Sequence, residues 1–236
     1  MLGFTLLLVP YFLLCVLLLP WRPLRLRLGN WAGATAGRWT HWLVGIRYEV
    51  VGESLEAQAP ALYVQNHAGT VDFWLAMQLC PAPGSGTVKR EILWVPIVGV
   101  AYWLSGHLLL DRSNRDRSIA AMDEISALVH EHRISVWILP EGTRSRDGRL
   151  LRFRKGFAHM ALATRLPIVP VVVHQAHRFW SRGLRVHPGR IVVETLPAIS
   201  TEDWTRERLD EHIEQVRQVF IDHLSPDQRP LALADS

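Results

Sequence analysis

The hydrophobic positions along the chain begin with an uninterrupted apolar run. Residues 2–19 contain no charged side chain, and this length is close to the roughly 20 residues that a membrane-spanning helix needs. Small and aromatic side chains in residues 30–45 favour a second helix, either packed on the first or lying in a membrane interface. The pattern predicts an N-terminal unit over residues 1–45, built from one or two membrane-anchoring helices. A buried core helix is the alternative for the first run.

After residue 45, short β-branched runs alternate with stretches of helical period, which is typical of an α/β domain. Apolar residues three or four apart predict a helix over 116–133 and another near the C-terminus, beginning around Ser200 and Asp203 and continuing to Leu224. We expect an α/β domain over 46–224 and a frayed tail over 225–236. The predicted strands are 47–51, 61–65, 134–139, 168–173 and 190–195, with a short further helix over 157–165.

Composition and charge narrow the possible partners. The two cysteines, Cys15 and Cys80, can build neither a disulfide framework nor a thiolate metal site, which fits a reducing compartment. The net charge of +4 suits an anionic partner, and both nucleic acid and an anionic lipid surface qualify. The apolar run favours lipid, and tryptophans near it could lie at the headgroup level or pack one helix on another.

The arginines that follow the apolar run predict whether the run is cleaved off and how it is oriented in a membrane. Arg22, Arg25 and Arg27 follow the run, whereas a secretory signal peptide carries its basic residues ahead of the apolar core. The segment is therefore expected to be retained in the mature protein. By the positive-inside bias, the rest of the chain is expected on the cytoplasmic side of a membrane.

The first candidate chemical group is a histidine with a carboxylate five residues later. His67 follows the apolar run of the second predicted strand, where α/β sheets place their ligand crevices. In a continuous helix, Asp72 would be turned roughly 140° away from His67, so the pair requires a break between them, which Gly69 and Thr70 can supply. The carboxylate could then fix the tautomer of the imidazole and leave its other nitrogen as a base. The alternative is a strand-end histidine with a helix-capping aspartate.

A second group, Pro140-Glu141-Gly142-Thr143-Arg144, follows the predicted strand 134–139. Both groups should open onto the same edge of the sheet. Arg144 can bind a phosphate through two N–H donors, and Thr143 and nearby backbone N–H groups can complete the site. Glu141 is unsuited to contact a phosphate directly, so we interpret it as a residue that orients Arg144 or a neighbouring cation.

With these residues in place, the chain resembles the 1-acylglycerol-3-phosphate O-acyltransferases, the lysophosphatidic acid acyltransferases of the PlsC-type glycerolipid acyltransferase family. The family's blocks occur here in order across residues 60–200. They are Asn66-His67-x4-Asp72, a second block over 91–112 that ends in Arg112, Pro140–Arg144, and the proline-bounded strand 167–170.

The resemblance implies a mixed sheet flanked by helices and transfer of an acyl group from an acyl thioester, acyl-CoA or acyl-ACP, to the sn-2 hydroxyl of lysophosphatidic acid. The product would be phosphatidic acid, made without a metal or another cofactor. His67 would be the general base and Asp72 its partner. The acceptor phosphate would be bound by Arg112, Glu141, Gly142, Thr143 and Arg144. The expected location is a bacterial inner membrane.

Three alternatives remain. The acceptor could be glycerol-3-phosphate or another lysolipid, because relatives share the same four blocks. The chain could instead be a noncatalytic protein that binds anionic lipid through its arginines. A hydrolase is disfavoured because the sequence contains no Gly-x-Ser-x-Gly segment.

Overall fold

A computed structural model describes residues 2–89, 93–95, 97–110, 115–180 and 185–231. Two helices come first, and a region of alternating strands and helices follows. The helices are α1 Leu2–Leu17, α2 Arg22–Val44, α3 Val71–Leu79, α4 Val98–Leu104, α5 Arg115–His132, α6 Gly156–Thr164, α7 Ala176–Trp180 and α8 Leu209–His223. The strands are β1 Ile46–Gly52, β2 Leu62–Gln65, β3 Gly84–Gly86, β4 Val88–Lys89, β5 Leu109–Leu110, β6 Ser135–Ile138, β7 Ile168–Val173 and β8 Gly189–Thr195.

The main sheet has the strand order β1-β8-β7-β2-β6-β3. Its neighbouring strands are parallel except for β7 and β8, which run antiparallel. All five strands predicted from the sequence are present, and the predicted α/β class with a mixed sheet is confirmed. The short strands β4 and β5 form a separate parallel pair.

The core lies on both faces of the sheet, because alternate residues of a strand point to opposite sides. Leu62 and Val64 of β2 join one buried cluster with residues of α5, α6 and α8. Tyr63, between them in sequence, joins the other cluster with residues of α3, α7, β1 and β8. The central strands are covered on both faces, which explains why their sequences are continuously apolar.

The start of the last helix differs from the prediction. We expected it near Ser200 and Asp203, but α8 begins at Leu209. The intervening segment is tied down by tertiary contacts, since the buried Thr201 hydroxyl donates to the Leu166 carbonyl at 3.0 Å. Trp204 also stacks on the ring of His212 with centroids 4.5 Å apart. Long-range bonds therefore override the local signal for a helix start.

The C-terminal segment also differs from the prediction of a frayed tail. Residues 225–231 fold back onto the domain, and the Gln228 side chain is fully buried. The backbone carbonyl of Gln228 accepts a hydrogen bond from the Leu150 N–H at 2.8 Å. We call residues 225–231 the C-terminal strap. Residues 232–236 of the predicted tail lie outside the described residues.

The two N-terminal helices are joined to the α/β domain. Helix α2 is longer than predicted, and it packs along α3 at Gly33 and Gly37, where Met77 and Gln78 fill the space that a larger residue would need. His41 of α2 and Gln78 of α3 form a hydrogen bond of 2.8 Å at this contact. The helix that begins beside the predicted site is therefore supported directly by α2.

Two of the arginines that follow the apolar run are used inside the fold. Arg22 Nε donates to the Gly106 carbonyl at 2.8 Å, and Arg25 Nη1 donates to the Leu104 carbonyl at 2.6 Å. These carbonyls lie at and just beyond the C-terminal end of α4, where positive charge is favoured by the helix dipole. Over the residues described here, no helix combines the length and the apolarity that crossing a bilayer demands.

Candidate active site

The site lies where two neighbouring parallel strands end. Strands β2 and β6 pair with Val64 opposite Ile138, so the residues that follow them reach the same edge of the sheet. His67 comes two residues after β2, and Glu141 comes three residues after β6. The backbone N–H of His67 donates to Glu141 Oε1 at 2.7 Å. The prediction that the two groups open onto one edge is confirmed.

The His67 ring is held by Asp72. His67 Nδ1 lies 3.0 Å from Asp72 Oδ2, and the carboxylate is fully buried while the histidine side chain is 15% exposed. Helix α3 begins at Val71, so the loop over 67–70 supplies the break that the pair requires. Because a carboxylate oxygen only accepts hydrogen bonds, we assign the donor role to Nδ1, and in the neutral imidazole Nε2 then carries the lone pair. Among the described residues, none forms a hydrogen bond with Nε2.

The same carboxylate oxygen also shapes the loop. Asp72 Oδ2 accepts the backbone N–H groups of Ala68 and Gly69, each at 2.7 Å. It therefore receives three donors, one from the ring and two from the backbone. Its other oxygen, Oδ1, is buried with no hydrogen-bond partner in the described part of the chain. The loop and the imidazole are thus fixed to one atom.

Gly69 is required by the close approach of α7. A Cβ at this position would lie 2.8 Å from the Trp180 carbonyl oxygen and 2.9 Å from that of Ala176. These are backbone atoms, which cannot swing away from the contact. The Thr70 N–H donates to the Trp180 carbonyl at 2.6 Å, so α7 supports the loop in addition to Glu141.

Glu141 was expected to orient Arg144 or a neighbouring cation, but among the described residues it holds the backbone of the site and forms no ion pair. It is 2% exposed, and its second oxygen, Oε2, accepts the Leu151 N–H at 3.1 Å. Burial raises the pKa of Glu141 to about 8, while the N–H donors of His67 and Leu151 act in the opposite direction. The nearby Asp72 carboxylate adds to the upward shift. These bonds give Glu141 the geometry of a positioning residue.

The remaining predicted residues lie on the loop after β6. Gly142 turns the chain with φ of 68°, and its N–H donates to the Leu139 carbonyl at 3.2 Å. Thr143 is exposed, and Arg144 Nη1 donates to Thr70 Oγ1 at 2.6 Å. This bond brings Arg144 beside the histidine loop. Arg112, the other predicted phosphate ligand, lies outside the described residues.

Some supporting residues were not identified from the sequence. The Asn66 side chain donates to the Val173 carbonyl at 3.0 Å and accepts the Val173 N–H at 2.7 Å, which extends the pairing of β2 with β7 up to the site. Leu151 contributes only its backbone N–H, which no side-chain pattern can reveal. Asn66 lies beside His67 in the sequence, so of these two supporting residues it is the one that the sequence could have indicated. In the described ranges, no group of three or more His, Cys, Asp or Glu residues could hold a metal ion.

The sheet, the flanking helices and the histidine–aspartate pair define an acyltransferase-type domain. The family model described as Acyltransferase matches residues 47–174, which is more than half of the chain. The chain belongs to this acyltransferase family.

Similar proteins match this chain over a longer stretch than the family model does. The chain is 41% identical over 224 residues to a 1-acyl-sn-glycerol-3-phosphate acyltransferase of Limnanthes douglasii, covering 94% of this chain and 79% of the relative. It is 35% identical over 165 residues to the protein of the same name from Escherichia coli strain K12, covering 70% and 67%.

A solved structure shares the fold. The crystal structure of the 1-acyl-sn-glycerophosphate (LPA) acyltransferase PlsC from Thermotoga maritima matches with a TM-score of 0.65. The alignment covers 91% of this chain and 95% of that one at 20% sequence identity.

The raised pKa of Glu141 predicts a pH dependence of stability. A carboxyl group with a pKa of about 8 when folded and 4.5 as its ordinary value binds its proton more tightly in the folded state. Its contribution to stability is therefore complete below about pH 4.5 and is lost as the pH rises through about 8. Urea unfolding at about pH 5 and about pH 9 should show a larger loss of unfolding free energy for the unaltered protein than for Glu141→Gln.

The exposed Glu202 provides the matched control. Glu202→Gln should keep the pH dependence of the unaltered protein. Parallel pH profiles for the unaltered protein and Glu141→Gln would show that Glu141 does not titrate in this way.

Proposed function

We propose that this chain transfers a fatty acyl group from an acyl thioester to the sn-2 hydroxyl of 1-acyl-sn-glycerol-3-phosphate and so forms phosphatidic acid. The observation that carries the proposal is the His67–Asp72 pair, with Nδ1 and Oδ2 3.0 Å apart, beside the Arg144–Thr70 bond. The names of the relatives at 41% and 35% identity supply the acceptor. The thioester donor is acyl-CoA or acyl-ACP.

His67 acts as the general base. Its Nε2 removes the proton of the acceptor hydroxyl while the oxygen attacks the thioester carbonyl carbon. Asp72 stabilises the imidazolium that forms, because its oxygen already accepts the Nδ1 hydrogen. The tetrahedral intermediate collapses with cleavage of the carbon–sulfur bond, and the thiolate leaves and takes up a proton. The lipid hydroxyl is itself the nucleophile, so no acyl-enzyme and no further cofactor are needed.

Arg144 and Thr143 bind the phosphate of the acceptor. The Arg144 guanidinium is held beside the histidine loop by its bond to Thr70, and a guanidinium presents several N–H donors in a plane that suits phosphate oxygens. The Gly142 N–H is used in its turn, so we assign stabilisation of the oxyanion to the backbone N–H of Thr143, an exposed residue. Arg112 keeps the phosphate-binding role that the family resemblance implies.

The first test is an acyl-transfer assay in detergent with one acyl-CoA. Lysophosphatidic acid, glycerol-3-phosphate and lysophosphatidylcholine are offered in parallel, and acyl-ACP replaces acyl-CoA in a second series. His67→Ala should lower kcat by about a thousandfold, and Asp72→Asn by at least about a hundredfold, because the base or its tautomer is lost. His130→Ala, an exposed histidine on α5, should retain the full rate.

The outcome decides between the remaining interpretations. Product from another acceptor alone would keep the chemistry and change the substrate. Failure with every acceptor and both donors would favour the noncatalytic lipid-binding interpretation. Equal activity of His67→Ala and the unaltered protein would contradict the assignment of the base.

Arg144→Ala tests the phosphate site in the same assay. We expect KM for lysophosphatidic acid to rise about tenfold or more, with a smaller change in KM for the acyl donor, because the acceptor loses charge-assisted hydrogen bonds. Arg190, an exposed residue paired with Glu49, supplies the control variant Arg190→Ala. An unchanged KM for lysophosphatidic acid would contradict the phosphate assignment.

The N-terminal helices form the membrane-binding surface in this proposal. Large apolar side chains of this region face outward, which is unusual for a surface that meets only water. Those of residues 9–43 that are more than half exposed are Val9, Leu13, Leu17, Trp21, Trp31, Trp39, Trp42 and Leu43. The segment over 93–103, which includes most of α4 and contacts α1 and α2, adds Trp94, Ile97, Val100 and Trp103. The expected placement is a bacterial inner membrane with the α/β domain on the cytoplasmic side.

Leu13 and Leu17 are 60% and 71% exposed and provide the test. The double variant Leu13→Glu, Leu17→Glu should weaken binding to liposomes about a hundredfold, because burying each leucine contributes roughly 1.5–3 kcal/mol. Co-sedimentation with phosphatidylethanolamine and phosphatidylglycerol liposomes measures it. Val50→Glu, a change at an exposed apolar residue of β1, should leave binding intact. Undiminished sedimentation of the double variant would refute this surface.

A further inference from the structure

The C-terminal strap reaches both segments that support the His67 loop. On one side, the Gln228 carbonyl accepts the Leu150 N–H at 2.8 Å. The next residue, Leu151, donates its N–H to Glu141 Oε2, and Glu141 Oε1 accepts the N–H of His67. Consecutive hydrogen bonds and one peptide unit thus connect the strap to the backbone of the proposed base.

On the other side, the Gln228 side chain holds the start of α7. Its Oε1 accepts the Gln175 N–H at 2.9 Å. Helix α7 begins at Ala176 and ends at Trp180, and the carbonyl of Trp180 accepts the N–H of Thr70. The strap therefore supports the same catalytic loop from two directions.

The backbone conformation of Gln175 indicates that its hydrogen bond to Gln228 stabilises the start of α7. Gln175 adopts φ of 54°, a left-handed conformation that is unfavourable for a side chain other than glycine and persists only where surrounding contacts impose it. The bond from Gln228 is such a contact. Gln228 Nε2 is buried with no partner among the described residues, which is a cost that an apolar residue of similar size would avoid. The acceptor oxygen, rather than simple filling of space, accounts for a glutamine here.

We propose that Gln228, within the C-terminal strap, is a positioning residue for acyl transfer. It sets the loop over 67–70 through Leu150 and Glu141 on one side and through Gln175 and α7 on the other. This inference rests on the proposed function of His67 as the base. The strap itself touches no reacting atom and acts through the loop.

The principal variant is Gln228→Met, which keeps the backbone bond to Leu150 and the approximate volume but removes the acceptor for Gln175. We expect kcat to fall about tenfold, with KM for lysophosphatidic acid changed less than about twofold, because small displacements of a catalytic group are costly while the phosphate site is retained. Gln228→Glu restores an acceptor oxygen and should recover most of the lost rate. Gln218→Met makes the same change at an exposed glutamine of α8, whose side chain bonds Asp222, and should behave as the unaltered protein.

Hydrogen–deuterium exchange supplies a measure that does not depend on activity. In Gln228→Met, peptides covering residues 67–71 should exchange about tenfold faster than in the unaltered protein, whereas peptides of β8 should not change. A purely structural role would alter stability and leave the kcat of folded protein intact, without rescue by Gln228→Glu. Either that pattern or unchanged exchange in 67–71 would overturn the proposal.

The unaltered protein provides a further test if Gln228→Met does not fold. Peptides of the strap and of residues 67–71 should then exchange at similar rates, because the loop loses its support whenever the strap opens. Rapid exchange of the strap beside a fully protected loop would overturn the proposal. Absence of acyl transfer by the unaltered protein would instead refute the proposed function, while the exchange result would still report whether the strap supports the loop.

Discussion

Three N–H groups converge on one carboxylate oxygen, and the geometry of the site depends on this convergence. Asp72 Oδ2 accepts the ring N–H of His67 and the backbone N–H groups of Ala68 and Gly69. Because charge-assisted bonds in a buried setting are strong, the loop has little freedom to rearrange without breaking several of them together. Glu141 performs the complementary task, since it fixes the His67 backbone while Asp72 fixes the ring. Two buried carboxyl groups thus fix one histidine, Asp72 through its ring and Glu141 through its backbone.

Much of this arrangement could be predicted from the sequence because it depends on local patterns. β-branched runs predicted five of the six strands of the main sheet, and two of these, which prove to be neighbours, are the strands that His67 and Glu141 follow. The five-residue spacing of His67 and Asp72 required a loop between them, and α3 does begin at Val71. The residues of the site could also be identified, because a histidine, a carboxylate and a guanidinium that follow the ends of strands are typical of a binding or catalytic site.

The parts that could not be predicted depend on contacts between distant residues. Glu141 was expected to orient a cation, but its oxygens accept the N–H groups of His67 and Leu151, and a backbone donor has no signature in a sequence. The predicted helix start at Ser200 was wrong because Thr201 bonds to Leu166 across the fold. A polar segment with two prolines resembles a frayed tail in every local respect, so the burial of Gln228 had no local signal either.

Helix α3 connects the catalytic loop to the N-terminal helices. It therefore links the position of His67 to the proposed membrane surface. Asp72 stands in the first turn of α3, and further along α3, Met77 and Gln78 pack against Gly33 and Gly37 of α2. A short helix held at one end by the site and along its length by α2 fixes the distance between them. A lipid acceptor cannot leave the bilayer at low cost because its acyl chain would be exposed to water. The general base must therefore reach the acceptor hydroxyl at a fixed distance from the bilayer. The close contact between α2 and α3 is the feature of this fold that can hold His67 at that distance.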